Sequence, residues 1–301
     1  MLKFLGFKRK IIETGFFFKL SLSKIVSSII YFRIIFFSKP KTHTGINPSS
    51  DKNIIVSLTT LPHRTKSSLI TIYYLLFQEE IKPNKIILWI TESENQTFKA
   101  LNKRGRKLLE KLKQYGLEIH KTKDIGPLTK FLPTKEHYPN SIIVTSDDDI
   151  IYPRNWLKEL YESYLKSPKH IHCYRAHNMT FHVDGRPKKY NNWQFESIGI
   201  EGPSLDLFPT GVCGVLYAPD HLDEEVLNKE LYKRLSFKSD DVWLKAMSLK
   251  KGVLCKKVKK DTPPFFEINF NKKAPLNRTN VHNSQNDIYI KNVWSYYFNI
   301  K

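Results

Sequence analysis

Three consecutive aspartates, Asp147, Asp148 and Asp149, close the apolar run Ser141-Ile142-Ile143-Val144-Thr145-Ser146. Carboxylates at the end of a buried strand are costly to desolvate, so such a cluster lies in an open cleft or binds a cation. Side chains alternate along an extended chain, which sends Asp147 and Asp149 one way and Asp148 the other. Two hard oxygen donors on one face suit Mg²⁺ or Mn²⁺, with phosphates completing the shell. A second acid pair occurs in Ser239-Asp240-Asp241-Val242-Trp243-Leu244, at the expected start of a helix. By itself that pair reads as a cap that meets the helix dipole.

The segments around these acids alternate between two periods. Ile54 to Leu58 and Lys85 to Ile90 are short buried-strand patterns, and Leu117 to His120 and Ser141 to Ser146 follow as a third and fourth strand. Between them Leu69, Ile72, Tyr73 and Leu76 fall at helical spacing, as do Leu101, Leu108, Leu112 and Tyr115, a helix that Gly116 stops. Leu157, Leu160, Tyr161, Tyr164 and Leu165 mark a further helix. This alternation predicts an α/β fold, a parallel sheet with helices on both faces. In such sheets ligands bind beyond the carboxyl ends of the strands, where both Thr59-Thr60-Leu61-Pro62-His63-Arg64 and the aspartates fall. Ile171 to Ala176 reads as one more strand. Pro209 to Pro219 is glycine-rich and then β-like, its glycines expected to let the backbone approach a bound group. No G-x-G-x-x-G follows the first strand and no G-x-x-x-x-G-K-[ST] occurs, which sets aside dinucleotide oxidoreductases and P-loop NTPases.

The 301 residues suffice for one large domain with an appendage. Forty-nine basic against 29 acidic residues give a formal charge of +20, which calls for a polyanionic neighbour: nucleic acid, an anionic membrane or phosphorylated substrates. Zinc spacing, an RNA-recognition signature and a helix-turn-helix pattern are all missing, so nucleic acid is not the expected partner. Cys173, Cys213 and Cys255 are odd in number and far apart, which speaks against a disulfide framework and fits a reducing cytosol.

Residues 1 to 41 carry nine Lys and Arg against Glu13 alone, interleaved with Phe16-Phe17-Phe18 and Ile34-Ile35-Phe36-Phe37. With no long uncharged stretch, the segment reads as a basic amphipathic element in a membrane interface; the alternative is a helix packed on the body. Residues 42 to 52 are expected to be a linker, and residues 53 to 301 one catalytic domain.

Together, Ile54 to Thr60, Thr145-Ser146-Asp147-Asp148-Asp149, Gly211-Val212-Cys213-Gly214 and Ser239 to Trp243 resemble a GT-A-fold glycosyltransferase. The resemblance is to the bacterial family 2-type enzymes of surface polysaccharide and lipooligosaccharide synthesis. It runs over roughly residues 53 to 290 and implies a GT-A-like, Rossmann-like mixed sheet. It also implies that Ser57, Thr59, Thr60, Arg64, Lys130 and Asp148 contact a nucleotide-sugar donor, expected to be UDP-linked. Asp147 and Asp149 match the family's D-x-D motif and would hold Mn²⁺ or Mg²⁺. His282 is either a third metal ligand or a surface histidine. The late acid pair supplies the base, Asp241 or its neighbour Asp240. No Q-x-x-R-W string follows Asp241, so one sugar is expected to be added to a saccharide or lipid-linked acceptor, at the cytoplasmic face of the inner membrane.

The chemistry asks for these residue types. A cation neutralises the growing charge of a leaving diphosphate, and a positioned carboxylate takes the acceptor's proton, typically contributing ~10²–10⁴-fold. A metal-dependent nucleotidyl or phosphoryl transferase needs the same acids and is the rival enzyme. A basic nucleic-acid-binding protein is the rival from another class. Trp193 and Phe195 either stack on a sugar or fill the core.

Overall fold

The central strand, β1 (Ile54–Thr59), has Ile54, Val56 and Leu58 buried on one face and Ile55 and Ser57 on the other. The computed structural model describes residues 23–36, 45–270 and 285–298. β2 (Lys85–Ile90) pairs with β1 in parallel on one side, with Val56 opposite Ile86, and β3 (Leu117–Lys121) continues that side. β4 (Ile142–Thr145) pairs with β1 in parallel on the other side, with Val56 opposite Val144. The chain therefore reverses its direction of growth at β1, and a crevice opens between the carboxyl ends of β1 and β4.

Beyond β4 come β9 (Val215–Tyr217), β6 (Ile171–Cys173) and β10 (Cys255–Lys257), completing the order β10-β6-β9-β4-β1-β2-β3. β9 is antiparallel to both its neighbours, β4 and β6. The sheet is thus mixed, as the resemblance implied, where the strand–helix alternation alone predicted a parallel one.

Helices cover both faces. On one side α2 (Thr65–Leu76), α4 (Lys103–Gln114) and α6 (Trp156–Lys166) bury Leu69, Ile72, Leu108, Leu112, Leu157 and Leu160 against Ile54, Val56 and Leu58. A single-turn α3 (Glu94–Thr97) precedes α4. Leu101 lies ahead of α4 rather than on it, because Asn102 caps the helix and accepts from Gly105 N–H. Gly116, at φ +106°, ends it, a backbone region that favours glycine. On the other side α5 (Leu132–His137), α7 (Lys229–Ser236), α8 (Asp240–Lys251) and α9 (Gln285–Tyr297) bury Leu132, Leu235, Trp243 and Trp294 with Ile143 and Val215.

Two short antiparallel pairs flank the sheet. β5 (Ile150–Ile151) pairs with β11 (Phe266–Glu267), and β7 (Ala176–Asn178) with β8 (Leu207–Pro209). The strand expected over Ile171 to Ala176 is therefore two. The chain turns at Tyr174, whose hydroxyl is buried against the Trp156 carbonyl at 3.0 Å, and re-forms a strand in another sheet.

Of the basic amino-terminal segment, residues 23–36 form a helix, α1. Ile34 is buried in the core shared with β1, and Ser27 Oγ accepts from Asn269 N–H at 3.0 Å. Residues 45–52 run along the body, with Gly45 N–H donating to the Leu76 carbonyl.

Candidate active site

Five stretches of chain converge at the carboxyl edge of β1 and β4. Thr60 to Arg64 leaves β1, Asp147 to Asp149 leaves β4, and a 3-10 turn at Gly126–Lys130 follows β3. The reversed β9 brings its entering loop, Thr210 to Gly214, to this same edge. The start of α8 brings Asp240 and Asp241.

The contacts are specific. Thr60 Oγ1 donates to Asp148 Oδ2 at 2.6 Å. Arg64 Nη2 lies 3.0 Å from Asp148 Oδ1 and also pairs with Asp149 Oδ2. Lys130 Nζ donates to Asp147 Oδ1 at 3.0 Å and stands 3.2 Å from Asp240 Oδ2. That Asp240 oxygen is buried without a well-directed hydrogen bond, so the attraction to Lys130 is its compensation. Gly211 N–H donates to Asp241 Oδ1 at 2.9 Å. A β-carbon at Gly211 would fall 2.5 Å from Lys130 Nζ and 3.1 Å from Asp241 Oδ1. The glycine thus admits the two charged side chains rather than a bound group. Asp147 N–H donates to the buried Tyr152 hydroxyl at 2.9 Å, fixing the first aspartate from behind.

Charge is unevenly compensated. Burial would lower Arg64 and Lys130, but the adjoining carboxylates raise both, Lys130 well above its ordinary value. Burial pushes Asp149 up to about 8 despite Arg64, with Asp148, Asp147 and Glu267 adding to the rise. Asp241 is likewise pushed up to about 8 by burial and by Asp240, with Lys130 opposing. Asp148 is raised too, burial outweighing Arg64 and Thr60. Five carboxylates share this edge, and among the described residues their ion-pair partners are Arg64 and Lys130.

A surplus of hard oxygen donors suits a divalent cation, and Asp147 and Asp149, with side chains 22% and 21% exposed, are reachable from the cleft. Among the described residues no three His, Cys, Asp or Glu side chains form a ready metal cage. The donor set fits a cation whose remaining ligands come from substrate and water, as Mg²⁺-type sites commonly do.

Not every residue singled out in the sequence joins this group. Ser57 is buried, its hydroxyl 2.6 Å from Thr134 Oγ1, which also accepts from Trp89 Nε1 at 2.7 Å. Thr59 donates to the Trp89 carbonyl at 3.0 Å. Both hydroxyls are engaged, Ser57 with α5 and Thr59 with the neighbouring strand β2. His282 lies outside the described residues. Asp240 and Asp241 begin α8 without capping it, since their carboxylates turn to Lys130 and Gly211. Trp193 is buried, with Nε1 donating to the Lys188 carbonyl, whereas Phe195 is 40% exposed.

Other members of the site were not singled out. Arg175 pairs with Glu196 at 3.3 Å and donates to Thr210 Oγ1 at 3.2 Å, beside the Gly211 loop. Glu196 holds φ +59° and Cys213 φ +76°, a costly region for side-chain-bearing residues. Glu267 reaches Asp149 through the β5–β11 pairing, for which the sequence carries no local signal.

No protein family matches the chain, and no curated protein matches it in sequence. Among solved structures it is similar to the mannosyltransferase PcManGT from Pyrobaculum calidifontis in complex with GDP-Man and Mn²⁺. Identity there is 14% and the TM-score 0.47, over 94% of this chain and 75% of that one. It is also similar to S. aureus TarS 1-349, at 14% identity and TM-score 0.43, over 68% of this chain and 57% of that one. A third likeness is to the inositol-1-phosphate CTP transferase from T. maritima, at 12% identity and TM-score 0.43, over 81% and 97% of the two chains. Likeness at these values bears on neither activity nor substrate.

Proposed function

We propose that the protein is a glycosyltransferase that moves one sugar from a nucleoside-diphosphate donor to a hydroxyl of a saccharide or lipid-linked acceptor. One observation carries this reading. Two acid clusters from distant stretches, Asp147 to Asp149 and Asp240–Asp241, meet around a single ammonium, Lys130, which pairs with Asp147 and Asp240 at the carboxyl edge of the sheet.

The donor diphosphate lies in the crevice between β1 and β4, with Arg64 and Lys130 as its cationic walls. A divalent cation held by Asp147 and Asp149 would neutralise charge on the departing diphosphate. Asp148, buried and bonded to Thr60, fixes Arg64. Asp240 keeps Lys130 in place, and Asp241 accepts the proton of the acceptor hydroxyl. That hydroxyl oxygen bonds to the anomeric carbon as the bond from this carbon to the diphosphate oxygen breaks, and nucleoside diphosphate leaves. A carboxylate pushed up to about 8 is, once ionised, a stronger base than an ordinary one.

Calorimetric titration of UDP and of GDP, each with and without Mn²⁺, into wild type and Asp149→Ala tests the site. Metal-dependent binding of a nucleotide that the substitution abolishes is the expected result. Indifference to both nucleotides would remove the proposal. Release of pyrophosphate from a nucleoside triphosphate, instead of nucleoside diphosphate from a sugar nucleotide, would transfer the site to nucleotidyl transfer.

A further inference from the structure

The turn from Gln194 to Ile198 is held by devices that the reaction above does not explain. Glu196 and Ser197 take φ +59° and +40°, two adjacent side-chain-bearing residues in the left-handed region. Such residues stay there only where the surroundings impose it. Buried side chains impose it here. Lys257, with no exposed surface, gives its ammonium protons to the carbonyls of Glu196, Ser197 and Lys260 at 2.7, 3.2 and 2.6 Å. Burial, and then Arg175, bring His177 down to about 3, so its Nδ1 is an acceptor, and it takes Glu196 N–H at 2.9 Å. Ser197 Oγ donates to the Ala176 carbonyl at 2.9 Å. Burying an ammonium is costly, and strain of this kind collects at functional sites.

What the turn presents lies beside the proposed proton acceptor. The Glu196 carboxylate, 49% exposed, is 3.3 Å from Arg175 Nε. Arg175 donates to Thr210 Oγ1, next to the glycine whose N–H holds Asp241. Phe195 packs edge-on against His177, with 4.6 Å between ring centres, and lies 5.6 Å from the Tyr190 ring. It still keeps 40% of its surface exposed, whereas Trp193 is buried. Burial, and then the charge of Asp241, raise the Tyr190 hydroxyl, which puts this aromatic group within reach of the acid pair.

The geometry points to Phe195, Glu196 and Arg175 as the subsite for the acceptor, and to a neutral pyranose as the group seated there. A pyranose carries C–H bonds on one face and hydroxyls on its rim. The first match an exposed aromatic ring; the second match a carboxylate that accepts and a guanidinium that donates. Glu196 also selects against a phosphate or a sugar acid, because it offsets the Arg175 charge and repels an anion. An alkyl chain would desolvate both charged groups without giving them a partner. The inference rests on the glycosyl transfer proposed above for the role of the bound sugar, though not for its binding.

Saturation-transfer NMR titration of the full chain reads this subsite. The probes are the methyl pyranosides of glucose, galactose, mannose, N-acetylglucosamine and glucuronic acid, each with and without Mn²⁺ and UDP or GDP. At least one neutral pyranoside should bind, and the glucuronide should bind more weakly. Phe195→Ala should weaken the neutral ligand by about two- to tenfold, the worth of one aromatic contact, with circular dichroism unchanged. Phe195→Leu, which removes the ring and keeps its bulk, makes the same test if the alanine variant does not fold. Glu196→Gln should narrow the gap between glucuronide and neutral sugar. Three results overturn the inference: no neutral pyranoside bound, equal affinity without the Phe195 ring, or a preference for the glucuronide. A gap that Glu196→Gln leaves unchanged also counts against it. Pyranoside binding by a chain indifferent to UDP and GDP would remove the transfer reading and leave the subsite standing. Nucleotide binding without pyranoside binding would do the reverse.

Discussion

Lys130 Nζ lies 3.0 Å from Asp147 Oδ1, and the lysine is only 9% exposed. Its ammonium is the counter-charge common to the acids that leave β4 and those that begin α8. Replacing it by Met should destabilise the fold by about 3 kcal/mol, since buried charges are left without compensation. Millimolar Mn²⁺ should recover part of that loss by standing in for the missing charge. Urea unfolding with and without the ion measures both effects, and an unchanged midpoint would count against Lys130 as the keystone of the site.

Arg64 spans Asp148 and Asp149, and so competes with any metal for the same oxygens. Arg64→Gln should raise Mn²⁺ affinity of the nucleotide-free protein by ~10-fold or more, because a fixed positive charge at contact distance is removed. The same substitution should weaken nucleotide binding. Calorimetry separates the two, and a fall in both affinities would refute the competition.

Gly211→Ala places a methyl group within 2.5 Å of Lys130 Nζ and 3.1 Å of Asp241 Oδ1. The flexible lysine end can yield, so the fold should survive with a loss within about 1 kcal/mol. Turnover should fall by at least about tenfold, because Asp241, the proposed proton acceptor, is displaced. Equal turnover in the alanine variant would separate the Gly211 loop from the chemistry.

Asp241 is held near 8 in the fold against an ordinary 3.8. Between these values the folded chain keeps a proton that the unfolded chain has released. Its contribution to stability is therefore complete below about 4 and is lost as pH rises through about 8. Asp241→Asn should raise the melting temperature more at pH 8 than at pH 5, in metal-free buffer. Turnover of wild type should climb over the same range, because only the ionised form takes a proton. Melting curves with parallel slopes against pH would contradict the assignment.

Thr134 serves as a control on a buried polar contact outside the acid cluster. Valine in its place leaves Trp89 Nε1–H and the Ser57 hydroxyl unpartnered, at about 1–3 kcal/mol each. Nucleotide affinity should stay within twofold, by roughly the measure of a site left untouched. A large loss of affinity would return Ser57 to the donor site.

Much of this architecture was legible because its signals are local. Lys85 to Ile90 is a strand with the predicted ends, and Gly116 stops α4 as its position suggested. The aspartates could be placed at a strand end for the same reason. Ser57 shows where such reasoning stops: a strand pattern fixes which face a side chain takes, but its partner, Thr134, comes from a helix many residues later. The division at Tyr174 was hidden because both halves carry strand-forming residues, and only the pairing of β7 with β8 separates them. Glu267 and Arg175 were beyond reach for a similar reason, since Glu267 arrives beside Asp149 through the β5–β11 pairing and Arg175 reaches the Gly211 loop through Thr210.

The reversal of β9 also bears on how such a protein can change over generations. Strands that leave toward the crevice contribute Thr60, Arg64 and the aspartates, while a strand that enters from it contributes the Thr210 to Gly214 loop. These two sets lie in separate stretches of sequence and share one rim. Insertions or substitutions in the second, Gly211 excepted because it touches Lys130, can alter what is seated beside Asp241 while the first keeps its hold on charge. Diversification of one half without loss of the other is built into the strand order.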